Sequence, residues 1–161
     1  MKSSVTKRMV PIIVVILVVV FLANNIMSVQ MLKNEVKEQW MMDDYKLVAA
    51  YGQEMTDLGY DSTEEYQMFV DRINDTGDYN YVVYMENVDG KVVAIAHSNP
   101  DRVGIVLEDA GSIKAVNEGM TYMGYYTDQV SGKETIDLIV PVSDKNGAQK
   151  GALNIGVPAD D

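Results

Sequence analysis

The stretch VDGKVVAIAHSNPDRVG, residues 88–104, decides how the chain folds. Asp89-Gly90 is a two-residue turn suited to positive φ, so the runs on either side of it pair as antiparallel neighbours. Tyr81-Val82-Val83-Tyr84-Met85 supplies the first strand and Lys91 to Ala96 the second. The second is apolar almost without a break, which predicts a central strand covered on both faces. It stops on His97, the only histidine in the chain. Pro100 then restricts Asn99 to extended backbone, and Gly104 permits a tight bend. An imidazole at a strand end beside a rigid turn is a donor held firmly where a cavity can open. The alternative is a structural histidine bonded to its own loop.

Working outward toward the C-terminus, Leu107 to Glu118 predicts a short helical piece closed by Gly119. Thr121 to Asp128 is a third strand, with Tyr122 and Tyr126 on one face and Tyr125 on the other. Glu134 to Val142 and Gly151 to Val157 are the fourth and fifth, joined by the Asp144-Lys145-Asn146-Gly147 turn, while Ser131-Gly132 turns before the fourth. Toward the N-terminus, Ser62 with Glu65 is a capping box. Tyr66, Phe69, Val70 and Ile73 then follow at helical spacing up to a turn cluster near Asn74. Residues 24–58 contain no proline and a single interior glycine, Gly52, and predict a helix with a broken apolar stripe through Val29, Leu32, Val36, Trp40 and Leu47. The order implies an α+β, PAS-like domain: a five-stranded antiparallel sheet with helices on one face.

The first thirty residues are of another kind. No charge lies between Met9 and Leu32, and a 20-residue helix crosses roughly 30 Å of hydrocarbon. A signal peptide shares the basic start at Lys2, Lys7 and Arg8, but its apolar core is roughly 7–15 residues and a small-residue cleavage site follows. Here the apolar run is longer and Asn, Ile and Met follow it, so an uncleaved anchor is expected. The positive-inside rule places the N-terminus in the cytoplasm and the rest outside the plasma membrane. The expected division is a basic cytoplasmic start (1–8), a transmembrane helix (9–29), an extracytoplasmic domain (30–158) and a short tail (159–161).

Beyond the anchor, residues 24–161 carry 10 of the 13 Lys plus Arg and all 24 Asp plus Glu, a net charge near −14. That sign disfavours nucleic acid and anionic lipid as partners. With no cysteine there is neither a disulfide nor a thiolate metal site. No phosphate-binding loop or nucleophile elbow appears, and the Asp144 turn lacks the later ligands of a calcium loop. No enzyme, metal or cofactor is expected. About 130 residues suffice for one core.

The string from Asp89-Gly90 onward resembles the Cache-type sensory domains of bacterial chemoreceptors and sensor kinases, particularly the single-module form of citrate and C4-dicarboxylate sensor kinases. The features that carry the resemblance are Asp89-Gly90, His97, Asn99-Pro100, Gly104, Ala115 to Gly119, Pro141-Val142, Asp144 to Gly147, Gly151 and Gly156, over about residues 79–158. The resemblance implies a small-molecule pocket between the sheet and the segment after the second strand. It also implies a dimer whose membrane helices shift on binding, here through the juxtamembrane helix. His97 falls on the histidine of the carboxylate-sensing branch, but the arginine of that branch falls on Ala94, and without a guanidinium a carboxylate loses its fork-shaped partner. Such receptors also re-enter the membrane after the last strand, and the second anchor and signalling part are expected to be missing here.

The candidate ligand contacts are His97, Tyr84, Tyr122, Tyr126, Arg102, Lys133 and Asp137. Pockets favour apolar walls with a few placed hydroxyls, although tyrosines also pack ordinary sheets. Arg102 pairs either with a ligand or with Asp101, Glu108 or Asp109. Asp137 either faces solvent or receives an ammonium group, which would suit an amine or amino acid. Asp89, Gly90, Asn99, Pro100, Gly104, Gly119, Asp144 and Gly147 are backbone devices. Two functions follow: a membrane-anchored sensor for a small amino acid, amine or carboxylate, or an interaction module of the same fold with a closed core.

Overall fold

The computed structural model describes residues 2–127 and 132–159. Asp128 at the end of the third strand, Ser131 of the following turn and the tail beyond residue 159 lie outside the described residues, as do the side chains of Lys2, Lys7 and Arg8. The elements are α1 (Lys2–Leu58), α2 (Thr63–Asn74), β1 (Tyr81–Val88), β2 (Lys91–His97), a 3-10 turn (Pro100–Arg102), β3 (Val106–Leu107), α3 (Ala110–Glu118), β4 (Tyr122–Thr127), β5 (Glu134–Ser143) and β6 (Gln149–Pro158).

The chain divides into two compact units, residues 1–42 and 43–161. The first is the N-terminal part of α1. Its apolar side chains from Ile12 to Leu22 are each at least half exposed, so no protein atoms cover them. The helix is long and apolar enough to cross a membrane.

The second unit is built on an antiparallel sheet in the order β3-β2-β1-β6-β5-β4. It has six strands rather than five, because Val106 and Leu107, the latter expected to start the helical piece, pair with Val93 and Val92. β2 is therefore next to the edge, not central; β1 and β6 hold the middle. β2 is nonetheless covered on both faces, by α2 on one side and by Ile105 and Leu107 on the other, and a bulge at Tyr84/Met85 leaves Ile95 without an opposite residue. The turns expected at Asp89-Gly90 and at Asp144 form. Asp89 (φ 52°) and Gly90 (φ 81°) take the left-handed region that joins β1 to β2. Asn87 Oδ1 accepts from the Gly90 N–H at 3.0 Å, and Asp144 Oδ1 accepts from the N–H groups of Asn146 and Ala148.

The two faces of the sheet have different partners. One carries Val82, Tyr84, Leu138, Val140, Leu153 and Ile155, all buried. Against it lie Tyr66, Phe69, Val70 and Ile73 of α2, whose start is fixed by the Ser62–Glu65 capping box, and the Gly52 turn of α1. A Cβ on Gly52 would stand 2.7 Å from Val140 Cγ2, so only glycine allows α1 to lie this close to β5. Tyr66 stacks on Tyr84 with ring centroids 4.1 Å apart, worth about 1 kcal/mol beyond the area it buries. The other face receives α3, which packs Ala115 and Val116 on Met85, Val92, Ile139 and Ala152. The helices therefore cover both faces rather than one. α3 carries the crossover from the β3 edge to the β4 edge.

Candidate ligand-binding site

The site lies on the α3 face and follows from register. Tyr81 is opposite Gly156, Gly156 is opposite Asp137, and Asp137 is opposite Gly124. Two glycines in that row leave room for the larger side chains to meet across the sheet. A Cβ on Gly156 would stand 2.5 Å from the Tyr81 ring. The Tyr81 hydroxyl reaches over it and donates to Asp137 Oδ1. In the neighbouring row His97, Val83, Asn154, Ile139 and Tyr122 follow one another on the same face.

Asp137 is buried, 7% exposed, so its carboxylate has given up most of its water. Burial pushes its pKa up; the hydrogen bonds from Tyr81 and Asn154 pull it back, and the like charge of Asp109 adds to the rise. Two more polar groups are buried on this face, Asn154 bonded to Asp137 and Ser112 on α3. Ser112 and Asn154 are 1% and 6% exposed, and among the described residues Ser112 Oγ and Asn154 Oδ1 have no hydrogen-bond partner. Leaving such an atom unpaired costs about 1–3 kcal/mol, and native proteins carry few of them. Ser112 comes from the first turn of α3, where Asp109 is the N-cap and accepts the Ser112 N–H at 2.8 Å.

His97 is buried on this face, its ring 6.3 Å from that of Tyr81. Its Nδ1 accepts from the Asn99 N–H at 2.8 Å, which puts the proton of the neutral ring on Nε2. Its backbone is held by Gln67 of α2 on both sides, the His97 N–H donating to Oε1 and the His97 carbonyl accepting from Nε2. Asn99 then caps the 3-10 turn by accepting from the Asp101 N–H, and Gly104 (φ 84°) donates back to the Ala94 carbonyl. The imidazole thus pins the loop that crosses the sheet.

The other candidates scatter. Tyr122 lies over the site: a Cβ on Gly111 of α3 would stand 2.7 Å from its ring. Tyr126 packs with Ile105 and Leu107 on Tyr81, Val83 and Ala94. Tyr84 is on the opposite face, fully buried, donating to Glu86 Oε1 at 2.7 Å. Arg102 is half-buried in the 3-10 turn, and Lys133 is exposed just before β5. The register brings His97, Tyr122, Tyr126 and Asp137 to one face and sends Tyr84 to the other. Tyr81, Ser112 and Asn154 were not among the expected contacts. Asn154 had a signal, as the one polar side chain inside Gly-Ala-Leu-Asn-Ile-Gly-Val. Among the described residues, Tyr122, Tyr126 and the Ile105–Leu107 segment wall the cluster. A separate cleft of about 250 Å³ opens on the other side, among Met55, Tyr60, Asp61, Lys145 and Lys150.

An antiparallel sheet with α1 and α2 on one face, and a crossover helix closing a polar cluster on the other, defines a Cache-type sensory domain. The family profile described as single cache domain 3 matches residues 42–161, and the chain belongs to that family. None of the curated proteins matches in sequence. Among solved structures, the fold is similar to the sensor domain of Escherichia coli DcuS: 16% identity, 74% of this chain and 92% of that one, TM-score 0.57. It is similar to the ligand-binding domain of the Pseudomonas aeruginosa PAO1 amino acid chemoreceptor PctC in complex with GABA: 12% identity, 76% and 57% coverage, TM-score 0.58. A third is the ligand-binding domain of the Campylobacter jejuni chemoreceptor Tlp3 in complex with L-norvaline: 16% identity, 75% and 52% coverage, TM-score 0.55. The chain spans about half the length of the Tlp3 domain. At these identities the likeness is one of fold.

Proposed function

We propose that this chain is the sensing part of a membrane-anchored receptor, and that it holds a small ammonium-bearing molecule, an amino acid or amine, against Asp137 on the α3 face. The observation that carries the reading is a buried carboxylate next to a buried oxygen without a partner, Asn154 Oδ1, with Ser112 Oγ also unpartnered on the helix that packs over this face. An ammonium group brings donors and a positive charge, which a buried carboxylate and an unpaired oxygen call for. Tyr81 and Asn154 orient the carboxylate, and Tyr122 and Tyr126 are the wall that opens. His97 holds the loop through its Nδ1. Tyr84, on the far face, has no part in this reading. The domain binds and reports rather than catalyses.

The anchor is residues 9–29, with the basic start in the cytoplasm and the domain outside, in keeping with the apolar helix and its flanking charges. Val29, Leu32, Val36 and Trp40 are exposed along α1 and suit pairing with a second copy. A second reading, an interaction module without a ligand, is favoured by one observation, the packing of Ile105, Leu107 and Tyr126 onto Tyr81, Val83 and Ala94. Against it stand the two unpartnered oxygens, which a purely structural core has no reason to keep.

The test is a thermal-shift screen of the full chain in nanodiscs across amines, amino acids and carboxylates. Compounds bearing an ammonium group raise the melting temperature by mass action, and Asp137→Asn abolishes the rise. A response to carboxylates alone, or one that survives in Asp137→Asn, overturns the assignment.

A further inference from the structure

We infer that the site selects an ammonium group carried on a short apolar body without a carboxylate, an alkyl amine in preference to the corresponding amino acid. The inference rests on the ligand site proposed above and deepens it.

The cluster has two ends, and Tyr81 joins them. Its hydroxyl donates to Asp137 at the polar end. Its ring packs at the other end with Val83 and Ala94, which are 3% and 0% exposed, and with Ile105, Leu107 and Tyr126. An ammonium seated on Asp137 and Asn154 Oδ1 therefore directs the rest of its molecule along the Tyr81 ring toward aliphatic carbon. A carboxylate placed there would lose its water against the aliphatic walls of Val83, Ala94, Ile105 and Leu107, with only the His97 ring at their margin.

The remaining place for a carboxylate is the start of α3, where backbone N–H groups and the helix dipole ordinarily favour an anion. Here that position is taken from within the chain. Asp109 caps the helix and uses the Ser112 N–H, and its charge is close enough to raise the pKa of Asp137. A second carboxylate brought to this helix end meets Asp109 and Asp137 together. Both ends of the site thus act against the anionic half of an amino acid, one by its aliphatic walls and one by like charge.

The way in is consistent with an apolar body. The wall over Val83 and Ala94 is the segment from the 3-10 turn to β3, and β3 is tied to β2 by only the Val92–Leu107 and Val93–Val106 pairs. Ile105 and Leu107 lift with that segment and close again on a hydrocarbon chain.

The experiment compares isobutylamine with valine, which differs from it by one carboxylate, by isothermal titration of the full chain in nanodiscs of zwitterionic lipid. Isobutylamine binds, valine binds at least about tenfold more weakly, and Asp137→Asn loses the amine. Valine binding as tightly as isobutylamine overturns the selectivity while the ammonium site stands. If neither binds and no other ammonium compound shifts melting, the site reading falls and this inference falls with it.

Discussion

Replacing Asp137 by asparagine should make the unliganded domain more stable at neutral pH, and the gain should vanish in acid. In the parent protein the carboxylate is 7% exposed, and burying an ion costs several kcal/mol after relaxation. Against that cost stand two charge-assisted hydrogen bonds, from Tyr81 and Asn154, each worth about 1.5–3 kcal/mol. The amide that replaces the carboxylate keeps an oxygen for the Tyr81 hydroxyl. It also brings an NH2 group toward Asn154, whose Oδ1 has no partner. The desolvation cost disappears and most of the bonding survives, for a net gain of about 1–2 kcal/mol. For a domain of this size that raises the melting midpoint by about 3–6 °C. The sign with pH follows from the raised pKa. Protonation of Asp137 favours the folded state, so stability from this group is fully present below 3.8, the ordinary value, and is lost as pH rises through the raised folded value. Subtracting the variant's midpoint from the parent's at each pH cancels the other carboxylates. The difference should be near zero at pH 3 and largest in the variant's favour at pH 7. A variant that melts below the parent at pH 7, or a difference that ignores pH, would refute the claim that an under-solvated carboxylate sits at this site.

Three further outcomes separate the two faces of the sheet. Gly156→Ala places a methyl 2.5 Å from the Tyr81 ring and 2.8 Å from Thr135 Cγ2; it should cost about 1–3 kcal/mol in chemical denaturation and weaken amine binding, by pushing Tyr81 off Asp137. Tyr84→Phe removes the hydroxyl that donates to Glu86 on the opposite face and should lower stability by about 1 kcal/mol, with amine affinity in calorimetry unchanged. Ser62→Ala opens the capping box of α2 and should cost about 1 kcal/mol, again with unchanged affinity; a change in binding from either of these last two would place the site elsewhere.

The parts of the fold that were legible in the sequence are those set by neighbours along the chain. Ser62 with Glu65, Asp89-Gly90, Asn99-Pro100 and the Asp144 turn all act within five residues, and each forms as expected. Strand order is a long-range property. The apolar run Val92 to Ala96 looks the same whether it is central or one step from the edge, because α2 packs on one side and Ile105 and Leu107 on the other. β3 is too short to have a period. The misplacement of Tyr84 has a simpler cause. Tyr81 and Tyr84 are three apart, so in one strand they face opposite ways, and only the pairing of Tyr81 with Gly156 and of Gly156 with Asp137 says which of them meets the carboxylate. Asp137 itself was visible as a charge inside an apolar strand.

The same strand that carries Asp137 carries Val140, three residues on and therefore on the other face, about 10 Å away at 3.3 Å per residue. Val140 is the residue that packs into the Gly52 turn of α1, where there is no space even for a methyl group. Thr56 of α1 accepts from the Ser143 N–H farther along β5. A displacement of β5 toward or away from α3 would therefore meet α1 through hard contact rather than a compliant layer. On the reading proposed above, an ammonium pairing with Asp137 would supply the free energy for such a displacement, limited to the ligand's differential affinity for the two arrangements. The polar group that the fold has least reason to bury is therefore the one whose neutralisation has most to move.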